Sequence, residues 1–139
     1  MIILDTNVVS EPLKQSPNLA VMRWLDAQDP ETLYITAVNL AELLTGIEIM
    51  PGGRRRSALK QALKTQLEDL FKGRILAFDE GAAEAFAATH ARSRAVGNTI
   101  NFADCAIAAI ATAHGYMLAT RNGADFKGTG LKILNPWGE

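Results

Sequence analysis

Met1-Ile2-Ile3-Leu4-Asp5-Thr6-Asn7 is the stretch on which the reading of this chain turns. Four apolar residues run straight into polar ones, the mark of a short buried strand. Asp5 then stands at the carboxyl end of that strand, where open α/β sheets collect their ligands. A carboxylate is costly to bury there without a compensating charge, so its position points to metal binding or catalysis. The plainer alternative is an Asp that caps the next helix. Convergence of other acids on the same place would separate the two.

Outward from Asp5 the chain alternates between short strands and helices. Leu19, Val21, Met22, Trp24 and Leu25 make Asn18–Gln28 an amphipathic helix, which Asp29-Pro30 ends. Leu33–Thr36 reads as a second strand, and Thr36 caps a helix over Ala37–Met50. After the turn Pro51-Gly52-Gly53, a long helix runs to Lys72, and its stripe Leu59, Ala62, Leu63, Leu67, Leu70 and Phe71 is expected in the core. Ile75–Phe78 is the third strand, and Asp79 caps an alanine-rich helix to Val96. Phe102–His114 is a further helix stopped by Gly115; Tyr116–Thr120 and Leu131–Leu134 are the last strands. This alternation predicts an α/β fold, a mostly parallel sheet sandwiched between helices.

Composition narrows the class. At 139 residues, 48% hydrophobic and 21% charged, the chain fits one domain over residues 1–139. A formal charge of −1 gives no global attraction to nucleic acid, so any polyanion contact needs a local basic patch. One cysteine, Cys105, excludes an internal disulfide and a thiolate zinc cluster. No apolar run reaches the length of a membrane span, and the opening is too short for a signal peptide, so a cytoplasmic protein without membrane contact is expected.

Two more acids occupy telling positions. Glu42 sits in the helix after strand two, flanked by Leu40, Ala41, Leu43 and Leu44; it is either at a surface edge or held in a site. Asp104 lies in the first turn of a strongly apolar helix, where capping and the helix dipole also favour it. Thr120-Arg121-Asn122 and Asp125 follow strand four. These groups gather after strands one, two and four, whose carboxyl ends a parallel sheet brings together. Joint convergence explains them better than independent caps.

Four motifs in order, Leu4–Asn7, Thr36–Leu43, Asn101–Ala109 and Leu118–Asn122 with Asp125-Phe126, resemble those of the PIN-domain nucleases, and among them the VapC-type toxins of toxin–antitoxin pairs. The closing Leu134-Asn135-Pro136-Trp137 is similar to the FitB subgroup. The resemblance implies a three-layer α/β/α sandwich with a five-stranded sheet ordered 3-2-1-4-5. It implies magnesium-dependent RNA cleavage, and inhibition by a cognate VapB/FitA-like antitoxin through which operator DNA is bound. It also implies a homodimer, or a dimer of toxin–antitoxin dimers. One departure stands out. Many PIN domains carry an acid where this chain has Asn122, so either Asp125 substitutes or Asn122 holds a metal-bound water.

The residue chemistry agrees. All candidate ligands are oxygen donors, and His90 and His114 lie outside the motifs, which suits Mg²⁺, with Mn²⁺ as substitute, rather than zinc. Asp5 and Asp104 are expected to bind the ion, with Glu42 completing the shell or orienting the attacking water. In-line displacement of the 3′ oxygen leaves 5′-phosphate and 3′-hydroxyl ends. Thr6, Asn7, Thr120 and Asn122 are expected to hydrogen-bond the scissile phosphate or metal waters. Arg54, Arg55 and Arg56, at a helix start where the dipole disfavours cations, are either phosphate contacts or an ordinary solvated face. Arg121 either steadies a phosphate or pairs with a nearby acid. A phosphatase of the haloacid-dehalogenase type needs a second acid two residues after the first, and Asn7 stands there. The remaining rival is a mainly structural subunit of an antitoxin–DNA repressor complex.

Overall fold

The computed structural model describes residues 1–138. The elements, in chain order, are β1 (Ile2–Leu4), α1 (Thr6–Ser10), α2 (Leu19–Asp26), β2 (Leu33–Thr36), α3 (Ala37–Glu48), α4 (Arg54–Leu70), β3 (Ile75–Leu76), α5 (Glu80–Ala95), α6 (Phe102–His114), β4 (Met117–Ala119) and β5 (Ile133–Leu134). Short 3-10 turns cover Glu11–Leu13, Pro30–Thr32 and Gly123–Phe126. The strands form one sheet in the order β3-β2-β1-β4-β5, and all four pairings are parallel.

Strand β1 is central, and the pleat explains its unbroken apolar run. Ile2 and Leu4 enter a core on one face with Leu33, Ile35 and Ala119, covered by Val8 and Val9 of α1, Leu43 and Ile47 of α3, and Leu63 of α4. Ile3 points to the opposite face, where Leu118 meets Ile107, Ala108 and Ile110 of α6 and Ala82 of α5. Alternate residues thus feed two cores, as a doubly covered parallel sheet requires. Helix α6 is buried continuously from Cys105 to Ala111, its small alanines admitting both the sheet and α5. Gly115 ends it in the left-handed region (φ 70°), which a side chain would strain.

Several boundaries differ from the sequence expectation. Strand β3 keeps two of four expected residues, and Phe78 leaves the sheet to pack on Phe86 and Phe102. Strands β4 and β5 are also shorter, their paired residues being limited to Met117–Ala119 and Ile133–Leu134. Helix α1, expected only as the target of a cap, is a full element. The α4 stripe is a partial correction: Leu63 and Phe71 are buried, but Leu70 is 42% exposed and Ala62 faces solvent. This helix rests on the edge of the core along one narrow row, so its flanking apolar residues line surface grooves instead.

Candidate active site

Because every strand is parallel, the segments after β1, β2 and β4 leave from one edge of the sheet, and the polar residues gather there. Asp5 is 6% exposed. Its Oδ1 accepts from the Thr6 backbone N–H at 2.9 Å, so it does cap α1. The same carboxylate also accepts the Thr120 hydroxyl at Oδ2 (2.7 Å) and Asn39 Nδ2 at Oδ1 (3.3 Å). The cap and the convergence of side chains from two other segments thus fall on one residue.

Asn39 is the residue that the sequence reading passed over. Fully buried in the first turn of α3, it forms a capping box with Thr36: Asn39 N–H donates to Thr36 Oγ1, and Asn39 Oδ1 accepts from the Thr36 backbone N–H, each at 3.0 Å. Its Nδ2 is left to donate to Asp5 and to Thr6 Oγ1 (3.2 Å). Thr6 in turn donates its hydroxyl to Glu42 Oε1 at 2.7 Å. The Thr-x-x-Asn spacing was the available signal, since it mimics the Ser/Thr-x-x-Glu/Gln box.

Asp104 is half-buried near the start of α6, held by Asn101, whose Nδ2 donates to Oδ2 at 3.0 Å and whose Oδ1 accepts the Asp104 N–H at 2.8 Å. Its pKa is pushed up to about 6, first by burial and then by the charges of Asp5, Asp125 and Glu42, against the lowering effect of Asn101. Burial chiefly raises Asp5 as well; the bonds from Thr120, Thr6 and Asn39 oppose this, and the Asp125 charge adds to it. Asp104 therefore feels the charges of acids from three other segments, and Asp5 that of Asp125, which contributes where Asn122 carries no charge.

The other expected residues are placed less uniformly. Thr120 is fully buried, and its hydroxyl serves Asp5 while accepting from the Asn122 N–H, so it is not presented to a phosphate. Asn7 Oδ1 accepts the Arg121 backbone N–H, fastening α1 to the loop after β4. The Arg121 guanidinium lies 5.2 Å above the Trp137 ring rather than against an acid. Arg56 binds the Ile47 carbonyl and Glu48, which makes it a clamp on the end of α3; Arg54 and Arg55 are exposed. Cys105 is buried with its thiol pKa raised by desolvation, as a packing residue would be.

An apolar groove of about 300 Å³ leads away from Thr6 and Glu42 between α3 and α4, floored by Leu43, Ile47, Leu59 and Leu63, with Arg55 among its lining residues. The donors fit a hard divalent cation in chemical type: all are oxygens, and their mutual repulsion is what a dication relieves. As the side chains lie, no three acidic, histidine or cysteine groups among the described residues sit close enough to grip an ion together.

Comparison with known proteins matches this architecture. The PIN-domain profile fits residues 2–131. Over 137 residues the chain is 46% identical to the plasmid stability protein StbB of Pseudomonas syringae pv. tomato, covering 99% of both chains. It is 45% identical to the VapC ribonuclease Y4jK of Sinorhizobium fredii, covering 99% of this chain and 98% of that one. The crystal structure of FitAcB from Neisseria gonorrhoeae superposes with a TM-score of 0.93 at 39% identity, over 99% of each chain. With the sheet order, the four motif positions and these full-length matches in agreement, the chain belongs to the PIN-domain family.

Proposed function

We propose that this protein is the toxin of a toxin–antitoxin pair, a magnesium-dependent endoribonuclease that leaves 5′-phosphate and 3′-hydroxyl ends. The observation that carries this reading is the gathering of Asp5, Glu42 and Asp125 around Asp104 at the sheet edge, where burial first and then their charges push Asp104 up to about 6. Repulsion of that kind serves no structural end and favours a dication. Asp5 and Asp104 would hold the ion, with Glu42 and Asp125 nearest to complete its surroundings; Glu42 and Asp125 are exposed and Asp104 half-buried, so side-chain rotation is the motion needed. Bound there, Mg²⁺ would supply positive charge at the scissile phosphate and make a nearby water easier to deprotonate.

The chain's own groups do the rest. Asn39 and Thr120 fix the Asp5 carboxylate, leaving it little rotational freedom. Thr6 aims Glu42, whose carboxylate is the base within the site that can orient a water for in-line attack. Arg54 and Arg55 remain free to meet the RNA backbone. The relatives named VapC ribonuclease and plasmid stability protein support the same reading. An amphipathic antitoxin helix in the groove along α3 and α4 would reach Glu42 and shut the site, and would carry any operator DNA.

The deciding experiment incubates antitoxin-free protein with cellular RNA, with Mg²⁺ or excess EDTA, and sequences the ends. Magnesium-dependent cuts bearing 5′-phosphates are expected, with Asp5→Asn inactive yet folded. Cyclic 2′,3′-phosphate ends, or cutting undiminished by EDTA, would overturn the scheme. A stable protein with no cleavage would leave the repressor-subunit role.

A further inference from the structure

Arg121 stands one residue beyond Thr120, whose hydroxyl grips Asp5, yet its guanidinium does not pair with the acids. The residue is exposed and makes no ion pair among the described residues. Its guanidinium lies instead 5.2 Å from the centre of the Trp137 ring, inside the range of a cation–π contact. The backbone here is held at successive residues. Thr120 N–H donates to the Leu134 carbonyl at 2.9 Å, Arg121 N–H to Asn7 Oδ1 at 3.3 Å, and Asn122 N–H to Thr120 Oγ1 at 3.1 Å. The ring is anchored as well. Trp137 is half-buried against the core that α1 and α3 cover, and its backbone N–H donates to Asn135 Oδ1 at 2.9 Å in the turn after β5. Because β5 runs parallel to β4, that turn leaves the sheet at the same edge as the acids.

We propose that Trp137 is a positioning residue that holds the Arg121 guanidinium ready for a phosphate of the RNA strand next to the scissile one. The inference rests on the ribonuclease reading above. Stacking covers one face of the planar guanidinium and leaves its N–H edges free, the edges that fork onto a phosphate. An arginine loose in solvent gives up rotamer freedom when it binds; one already laid on a ring gives up less. The same contact keeps the cation off Asp5 and its neighbours, so their charge stays available to a dication. A phosphate taken by Arg121 therefore lies beside the acids rather than among them, and the pair acts on strand binding more than on bond breaking. A contact kept only to fasten the segment after β5 would gain more from an aliphatic side chain, which covers the indole without desolvating a charge.

The test measures anisotropy of a short fluorescein-labelled mixed-sequence RNA with metal-free protein over a range of salt, alongside cleavage kinetics with Mg²⁺ and melting temperatures. Arg121→Gln should weaken binding and raise KM by about tenfold, change kcat by less than about twofold, and flatten the salt dependence. Trp137→Leu keeps apolar bulk but removes the π-face, and should raise KM about three- to fivefold. Trp137→Phe should recover most of that loss. Added to Arg121→Gln, Trp137→Leu should raise KM no further, because the ring acts only through the guanidinium. Unaltered binding and KM in Arg121→Gln overturn the proposal. So does a Trp137→Leu effect that persists in full in the double variant, which would put the ring itself on the RNA. A lower melting temperature in Trp137→Leu with KM unchanged overturns it too, leaving the pair a staple. Failure of the wild type to cut RNA strikes the nuclease reading, a result distinct from an active wild type with indifferent variants.

Discussion

Asp104 shows most directly what gathering acids at the sheet edge costs in stability. Its folded pKa of about 6 exceeds the ordinary 3.8, so the unfolded chain loses the proton first as pH rises. The stability tied to this group is whole below about pH 3.8 and is lost as pH climbs through 6. Asp104→Asn should therefore raise the melting temperature of metal-free protein by a few degrees at pH 7.5 and by nothing near pH 3.5, read by calorimetry; solvent screening of a half-buried group keeps the gain near 1 kcal/mol. Cleavage should vanish in the same variant. Magnesium must displace the Asp104 proton, so apparent affinity should fall about tenfold per pH unit below 6, measured by isothermal titration. The arginines divide similarly: Arg54→Gln with Arg55→Gln should raise KM for RNA, whereas Arg56→Gln should lower stability by about 1 kcal/mol through loss of its clamp on α3.

At the scale of elements, the site is assembled by helix starts. Asp5 caps α1, Thr36 and Asn39 box the start of α3, and Asn101 caps α6 beside Asp104. Each cap satisfies backbone donors and holds a candidate site group in the same stroke. Asn39→Ala breaks both, and should cost about 1–2 kcal/mol of stability and lower kcat more than it changes KM. Denaturant melts and steady-state kinetics would show it; a stability loss without any change in kcat would reduce Asn39 to a cap. The helix expectations were good where amphipathic spacing met a clear stop, as in α3, α5 and α6. Strand ends were over-read because an apolar pair such as Ala77-Phe78 looks the same whether it continues a ladder or packs as side chains.

Across the whole molecule, four chain-distant acids repel one another because the parallel sheet sends its loops to one edge. A bound dication should turn that repulsion into stabilisation: Mg²⁺ at about a hundredfold excess over Kd adds about 2.7 kcal/mol, read as a rise in melting temperature. The rise should be absent in Asp5→Asn. A rise that persists in that variant would place the ion elsewhere.

The amino-acid order alone determined the layered α/β fold, the central strand and the positions of the candidate acids after the strands, because burial on two faces and capping leave their period in local spacing. Only the tertiary structure decided that Asp125 joins the acids, that Asn39 and Thr120 grip Asp5, and that Arg56 clamps a helix rather than facing solvent. The grip on Asp5 depends on side chains that meet across 34 and 115 residues of chain, and even the Arg56 contacts, eight and nine residues away, follow from a turn between two helices; partners chosen by packing in this way leave no local pattern to read.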